Sequence, residues 1–286
     1  VALGTTGVLA ILLPAALAAG FDYQSGVDDL VEPFLFKWAI MSVILSSGLF
    51  FILKRKLNLF DSGAIAAAYG SVSAVTFVTA VSYLEAHQLQ LHGHMVAVMA
   101  IMESPSIIIG LMLISIFYKG DNTKFQKKSI VKHSLTNGSV LLILGSLVIG
   151  YLANAEQAQG IKPFTNDLFK GFLAIFLLDM GITSGKKLKS FFSSGWFPLV
   201  FAVAIPIVNG CLFAIISSVV TDDISNRFIF SVLAASASYI AVPATMKITV
   251  PKANPGLYLP MALAITFPVN ITIGMPIYLS IINCTS

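Results

Sequence analysis

Apolar runs of about twenty residues recur along the whole chain, separated by short stretches that gather most of the Gly, Pro, Asn and charge. A helix of that length covers roughly 30 Å of hydrocarbon while satisfying its own backbone hydrogen bonds, so each run predicts a membrane-spanning helix. Nine spans are expected, near 3–20, 33–53, 63–83, 94–118, 135–153, 167–184, 196–220, 227–246 and 257–282. None of the intervening stretches fits a separate soluble domain. The first run ends in Ala-Ala-Leu-Ala-Ala-Gly at 15–20 but has no basic residues ahead of it, and is read as a span rather than a signal peptide. With Val and not Met at position 1, the sequence reads as starting inside a longer product or after processing.

Composition supports this picture. Hydrophobic residues make up 57% of the 286 and charged residues only 10%, where a soluble domain carries about 25% charge. A water-soluble enzyme is excluded, and nucleic acid is an unsuitable partner for so few cations. The net charge of +4 matters less than where the charges fall. Thirteen of the seventeen basic residues lie after the second, fourth, sixth and eighth spans, at 54–56, 119–132, 186–189 and 247–252. The opposite ends carry Lys162, Lys170 and Arg227 and most of the carboxylates. The positive-inside rule places the lysine side in the cytoplasm and the C-terminus outside.

Two stretches resemble each other at an offset of about 165 residues: Tyr69-Gly70-Ser71-Val72-Ser73-Ala74-Val75-Thr76 and Ala237-Ser238-Tyr239-Ile240-Ala241-Val242-Pro243-Ala244-Thr245. Each is crowded with small and hydroxylated residues and is followed by a polar loop and a long apolar span. By the lysine count the two copies run in opposite directions. Such inverted repeats, with interruptions at matching places, point to a secondary transporter with discontinuous helices. The expected fold is therefore an all-α membrane protein, an inverted-repeat transporter with two interrupted, crossing helices. The first repeat is expected over 1–118, a basic cytoplasmic linker over 119–134 and the second, inverted repeat over 135–286.

A helix broken at membrane depth presents unpaired N–H groups and a partial positive charge, which suits an anion. Ser71, Ser73, Thr76, Ser236, Ser238 and Thr245 add hydroxyls and are the expected substrate-binding residues. The competing explanation is close helix packing, for which small residues also serve. Three ionisable residues fall well inside spans: Lys37, Glu103 and Asp179. Intramembrane charge is costly and calls for a reason. Glu103 lies in Met102-Glu103-Ser104-Pro105-Ser106, where a carboxylate and hydroxyls suit Na⁺ or a proton. Asn270 and Thr272 supply neutral oxygens at the corresponding level, so Glu103, Ser104, Asn270 and Thr272 form the expected ion-coupling set. Asp179 lies within two turns of Lys186 and Lys187, which can neutralise it by snorkelling, and Lys37 can snorkel outward. His87, His92 and His94 match no metal-site spacing. No hydrolase or nucleotide-binding motif is present in the sequence, so no enzyme activity and no cofactor beyond a coupling Na⁺ is expected.

Tyr69-Gly70-Ser71-Val72-Ser73 with Thr76, Met102-Glu103-Ser104-Pro105, Ala234-Ala235-Ser236-Ala237-Ser238 with Pro243 and Thr245, and Pro251-Lys252-Ala253-Asn254-Pro255 resemble the sodium-dependent bicarbonate transporter family of the SbtA type. The similarity covers about residues 33–282, and the Ala-Asn-Pro loop is its most specific element. The resemblance implies ten helices in two inverted halves of five, both termini outside, a homotrimer, and bicarbonate held between the interrupted helices with Na⁺ nearby. It makes the run at 3–20 the second helix of its half, and it implies a cytoplasmic regulator of the PII type, for which the basic linker would be suited. Two positions depart from the family pattern: Tyr239 stands where an Asp is usual, and Ala74 where Gly is usual. The expected function is Na⁺-coupled bicarbonate uptake across the inner membrane. The alternatives are a transporter of another small anion on the same architecture, coupled to protons through Glu103, and an anion-sensing membrane protein that does not transport.

Overall fold

The computed structural model describes residues 34–92, 94–118, 169–192 and 195–285, with positions 160, 163 and 168. The spans expected at 3–20 and 135–153 and the linker at 119–134 lie outside the described residues. Among the described residues the ordered elements are helices α1 (Phe34–Leu53), α2 (Leu59–Gly70), α3 (Ala74–Ala86), α4 (His94–Phe117), α5 (Phe169–Phe192), α6 (Trp196–Ile216), α7 (Ile224–Ala235), α8 (Ala241–Thr249) and α9 (Pro255–Thr285), with a 3₁₀ turn at Ser217–Val219 and no strand. Among the described residues three stretches are long and apolar enough to cross a membrane: Leu59–Ala86, Trp196–Val219 and Pro255–Thr285.

The outward faces of α1, α4, α5 and α6 carry Ile44, Phe51, Ile116, Ile175, Leu178, Val208 and Leu212, all exposed. In water such a surface would aggregate; against lipid tails it costs nothing, which identifies a membrane protein. The inside is correspondingly small and polar in places. α2 is buried from Asp61 to Gly70 and packs against α1 and α4. A Cβ on Gly110 would lie 2.6 Å from that of Ala67, and one on Gly63 would run into Ile114, so these two glycines let α2 and α4 approach closely.

The second group joins α6, α7 and α9, with α5 against α9. α9 contains two wide turns of π type, Met261–Thr266 and Asn270–Gly274. Pro206 removes the N–H that would have bonded the carbonyl of Ala202, and Thr266 Oγ1 from the first wide turn donates to that carbonyl instead, at 2.7 Å. Thr266 has a single hydroxyl proton, so the hydroxyl of Tyr69, 2.7 Å away, is the donor in their bond. A chain of hydrogen bonds thereby ties α2 to α9 and α6. Across the two groups the partners exchange: α3 packs on α7, and α8 on α2.

Candidate functional site

Both helices α2 and α7 have twelve residues and end on a serine in extended conformation, Ser71 and Ser236. Asn58 caps α2 by accepting from the N–H of Asp61, and Asp223 caps α7 by accepting from the N–H of Asn226. After the first break, where Ser71 and Ser73 are both extended, the chain re-enters a helix at Ala74; after the second it bends at Tyr239–Ile240 and re-enters at Ala241. Neither break contains a proline. Pro243 falls in the first turn of α8, where its missing N–H has no helical partner to lose.

The breaks are held by each other. The N–H of Ser73 donates to Ser236 Oγ at 3.1 Å, and the N–H of Ser238 donates to the carbonyl of Ala68 at 2.8 Å. Ser236 passes its own hydroxyl proton to the carbonyl of Leu233, and Ser71 passes its proton to the carbonyl of Glu103 at 3.2 Å. Ser106 donates to the carbonyl of Gly70. Orphaned groups at both helix ends thus find partners inside the protein, as backbone at membrane depth requires.

Proton counting separates the expected substrate residues. Ser71 and Ser236 spend their protons on carbonyls, so their roles within the fold are structural. Ser73 Oγ accepts from the N–H of Thr76 at 3.2 Å, capping α3, and Ser238 Oγ accepts from the N–H of Val242 at 3.4 Å. Among the described residues neither donates its hydroxyl proton in a hydrogen bond of ordinary geometry, which leaves two O–H groups available where the breaks meet. Thr76 is buried in the first turn of α3, and Thr245 is buried in α8.

Of the expected ion-coupling residues, Glu103 is 7% exposed and is brought to the first break by the Ser71 contact to its carbonyl. No described basic side chain forms an ion pair with it. The side chain of Ser104 lies outside the described residues. Asn270 is fully buried, with its Oδ1 accepting from the Tyr278 hydroxyl at 2.9 Å and its Nδ2 without a partner. Thr272 is exposed and returns its proton to the carbonyl of Pro268 on its own helix, so the fold does not bring it to the site. Asp179 is half-buried and forms no ion pair with Lys186 on the same helix. The side chains of Lys37, Lys187 and His94 lie outside the described residues. His87 bonds the carbonyl of Tyr83, and His92 pairs with Asp223 at 3.3 Å.

Three residues carry more than sequence reasoning assigned them. Asp61, 6% exposed, accepts from Asn58 Nδ2 and from the N–H of Asn254, both at 2.6 Å, and so joins the start of α2 to the start of α9. The Asn58-x-x-Asp61 spacing at a helix start was its signal. Arg227, read as a helix-end cation, is 1% exposed and donates to the carbonyl of Ala214 and to Thr285 Oγ1. Tyr239, noted only as a departure from a pattern, is 3% exposed within the second break.

A family model described as the Na⁺-dependent bicarbonate transporter superfamily matches residues 3–283. No curated protein sequence matches the chain.

Proposed function

Since this chain belongs to the Na⁺-dependent bicarbonate transporter superfamily, we propose that it is a secondary transporter that takes up bicarbonate with Na⁺ and binds the anion where the two breaks cross. The observation that carries the reading is the reciprocal pair of bonds, Ser73 N–H to Ser236 and Ser238 N–H to Ala68, around the capped N-terminus of α3. That end of a helix concentrates partial positive charge without a titratable cation, and Ser73 and Ser238 hold the two free O–H groups beside it. A small anion bound there is stabilised by dipoles alone, so it can also leave.

In this reading the chain comprises two inverted halves, 1–118 and 135–286, joined by a cytoplasmic linker. The lysine-rich loops face the cytoplasm and the C-terminus faces outside. Glu103 is the coupling residue, because it is a buried carboxylate next to the first break and a cation beside it would remove the cost of burying its charge. Asn270 is a weaker candidate for a cation, since its oxygen already accepts from Tyr278. Alternating access arises when one half rocks against the other about the crossing. A homotrimer and a PII-like regulator on the linker are further proposals that follow from the family resemblance.

The test is uptake of labelled bicarbonate into proteoliposomes of the purified protein. Uptake that requires an inward Na⁺ gradient is the expected result. Uptake driven by a proton gradient without Na⁺ would assign Glu103 as a proton carrier. Binding of the anion without uptake would make the protein a sensor.

A further inference from the structure

Tyr239 lies in the second break, between Ser238 and the start of α8. Its ring is fixed edge-on against Phe267 of α9, with centroids 5.7 Å apart at 70°. Its hydroxyl faces the side chains of Ser73, the cap of α3, and of Thr76 in its first turn. Although it faces two hydroxyls, it makes no hydrogen bond of ordinary geometry with them or with any other described group. A buried hydroxyl with no partner costs stability, and phenylalanine would pack on Phe267 equally well without that cost. The hydroxyl is therefore available to a partner that is not part of the chain.

We infer that Tyr239 is a direct ligand of the transported anion, donating its phenol O–H to an oxygen of a small oxyanion held against the N-terminus of α3. The inference rests on the crossing being the anion site. Three features converge on it: the capped end of a thirteen-residue helix, the free O–H of Ser73, and an unpartnered phenol aimed at both. No basic side chain among the described residues lies in either break, so neutral donors must replace the anion's water. A phenol is the longest neutral donor available to reach from the far side of the crossing. It follows that Tyr239 is a specificity residue: it rewards an anion with a second acceptor oxygen beyond the one that Ser73 and α3 contact.

The experiment uses the full chain in detergent and compares wild type with Tyr239→Phe. Ligand-free melting temperature and the affinities for bicarbonate, formate and nitrate are read from ligand-induced thermal shifts. The expected result is a bicarbonate affinity about tenfold weaker in Tyr239→Phe, equivalent to about 1.4 kcal/mol, with a ligand-free melting temperature unchanged or higher. A lower ligand-free melting temperature with unchanged affinity would show that the hydroxyl has a structural partner, and would overturn the inference while leaving the transport reading intact. If wild type responds to another oxyanion but not to bicarbonate, and Tyr239→Phe loses that response, the substrate reading fails and the role of Tyr239 stands. Wild type insensitive to all three anions would overturn both.

Discussion

The two breaks, after α2 and after α7, start from matching material and end differently. Helix α7 begins 165 residues after α2, has the same twelve-residue length, and closes on the same kind of serine. Their N-terminal pairs even use the same two residue types in reversed order, Asn58 with Asp61 and Asp223 with Asn226. Yet Asp61 is bonded on to Asn58 and to Asn254 across the molecule, whereas Asn226 Oδ1 is buried with no partner. The first break spans three residues and leads into a side-chain-capped helix; the second spans five and leads into α8, whose N-cap residue, Ile240, offers no side-chain bond. All three unpartnered buried side-chain atoms described, on Asn226, Tyr239 and Asn270, lie from α7 onward. The start of α2 is thus internally satisfied and serves as a frame, whereas the stretch from α7 onward keeps polar groups in reserve, where a ligand or a change of conformation can supply partners.

The strongest way to break this comparison is at the close of α2. A Cβ on Gly70 would run into Ser46 Oγ and lie 2.9 Å from the Ser46 backbone, so Gly70→Val should cost about 3 kcal/mol and lose most folded protein on size exclusion. The matching position in α7 is Ala235, which already carries a Cβ, and Ala235→Gly should cost no more than about 1 kcal/mol. Equal losses at the two positions would mean that the first break is not the more tightly packed one.

Charge gives the next contrast. α4 buries the carboxylate of Glu103, while α9 buries the neutral Thr266, which is bonded to Ala202, and Asn270, whose Oδ1 accepts from Tyr278. Glu103→Gln should abolish Na⁺ stimulation of uptake without unfolding the protein, whereas Asp179→Asn should leave transport nearly unchanged. Na⁺ stimulation that survives in Glu103→Gln would move the cation site elsewhere.

The two caps sharpen the comparison further. Asp61→Asn weakens charge-assisted bonds to Asn58 and Asn254 and should lower stability by about 1.5–3 kcal/mol. Asn226→Leu removes an oxygen that has no partner, and should change stability by less than about 0.5 kcal/mol in either direction. Paired thermal melts would settle this, and a larger loss at Asn226 would reverse the assignment of frame and reserve. A small effect is also expected at the half-exposed pair of His92 with Asp223. His92→Gln should shift stability by less than about 1 kcal/mol, and the shift should shrink further in high salt.

The sequence by itself determined the class and the outline. Long apolar runs at membrane length can only be helices in lipid, and the runs expected at 33–53, 94–118, 196–220 and 257–282 match α1, α4, the stretch Trp196–Val219 and α9 within a few residues. The Ser-rich interruptions were legible too, because hydroxyls there offer the backbone an alternative partner, but their register was not: the stretches compared set Ser71 against Tyr239, whereas the helices end at Ser71 and Ser236. What each hydroxyl does was not legible, since Ser71 and Ser236 differ from Ser73 and Ser238 only in where their protons go. For Ser71 that depends on the carbonyl of Glu103, brought to 3.2 Å from another helix, and for Ser236 on the backbone geometry at the end of α7, where its own Leu233 carbonyl is left free. The same holds for Asp61, which looks like an ordinary cap until Asn254 is folded against it, and for Thr272, which looks like a ligand until the helix turns it outward. Tyr239 shows the limit most plainly. Its identity is printed in the sequence, but only the packing on Phe267 and the arrival of Ser73 and Thr76 from α3 aim its hydroxyl into the crossing and leave it there without a hydrogen bond of ordinary geometry. Backbone hydrogen bonding and hydropathy are local and can be read along the chain, whereas the partner of a buried polar atom is chosen by the fold.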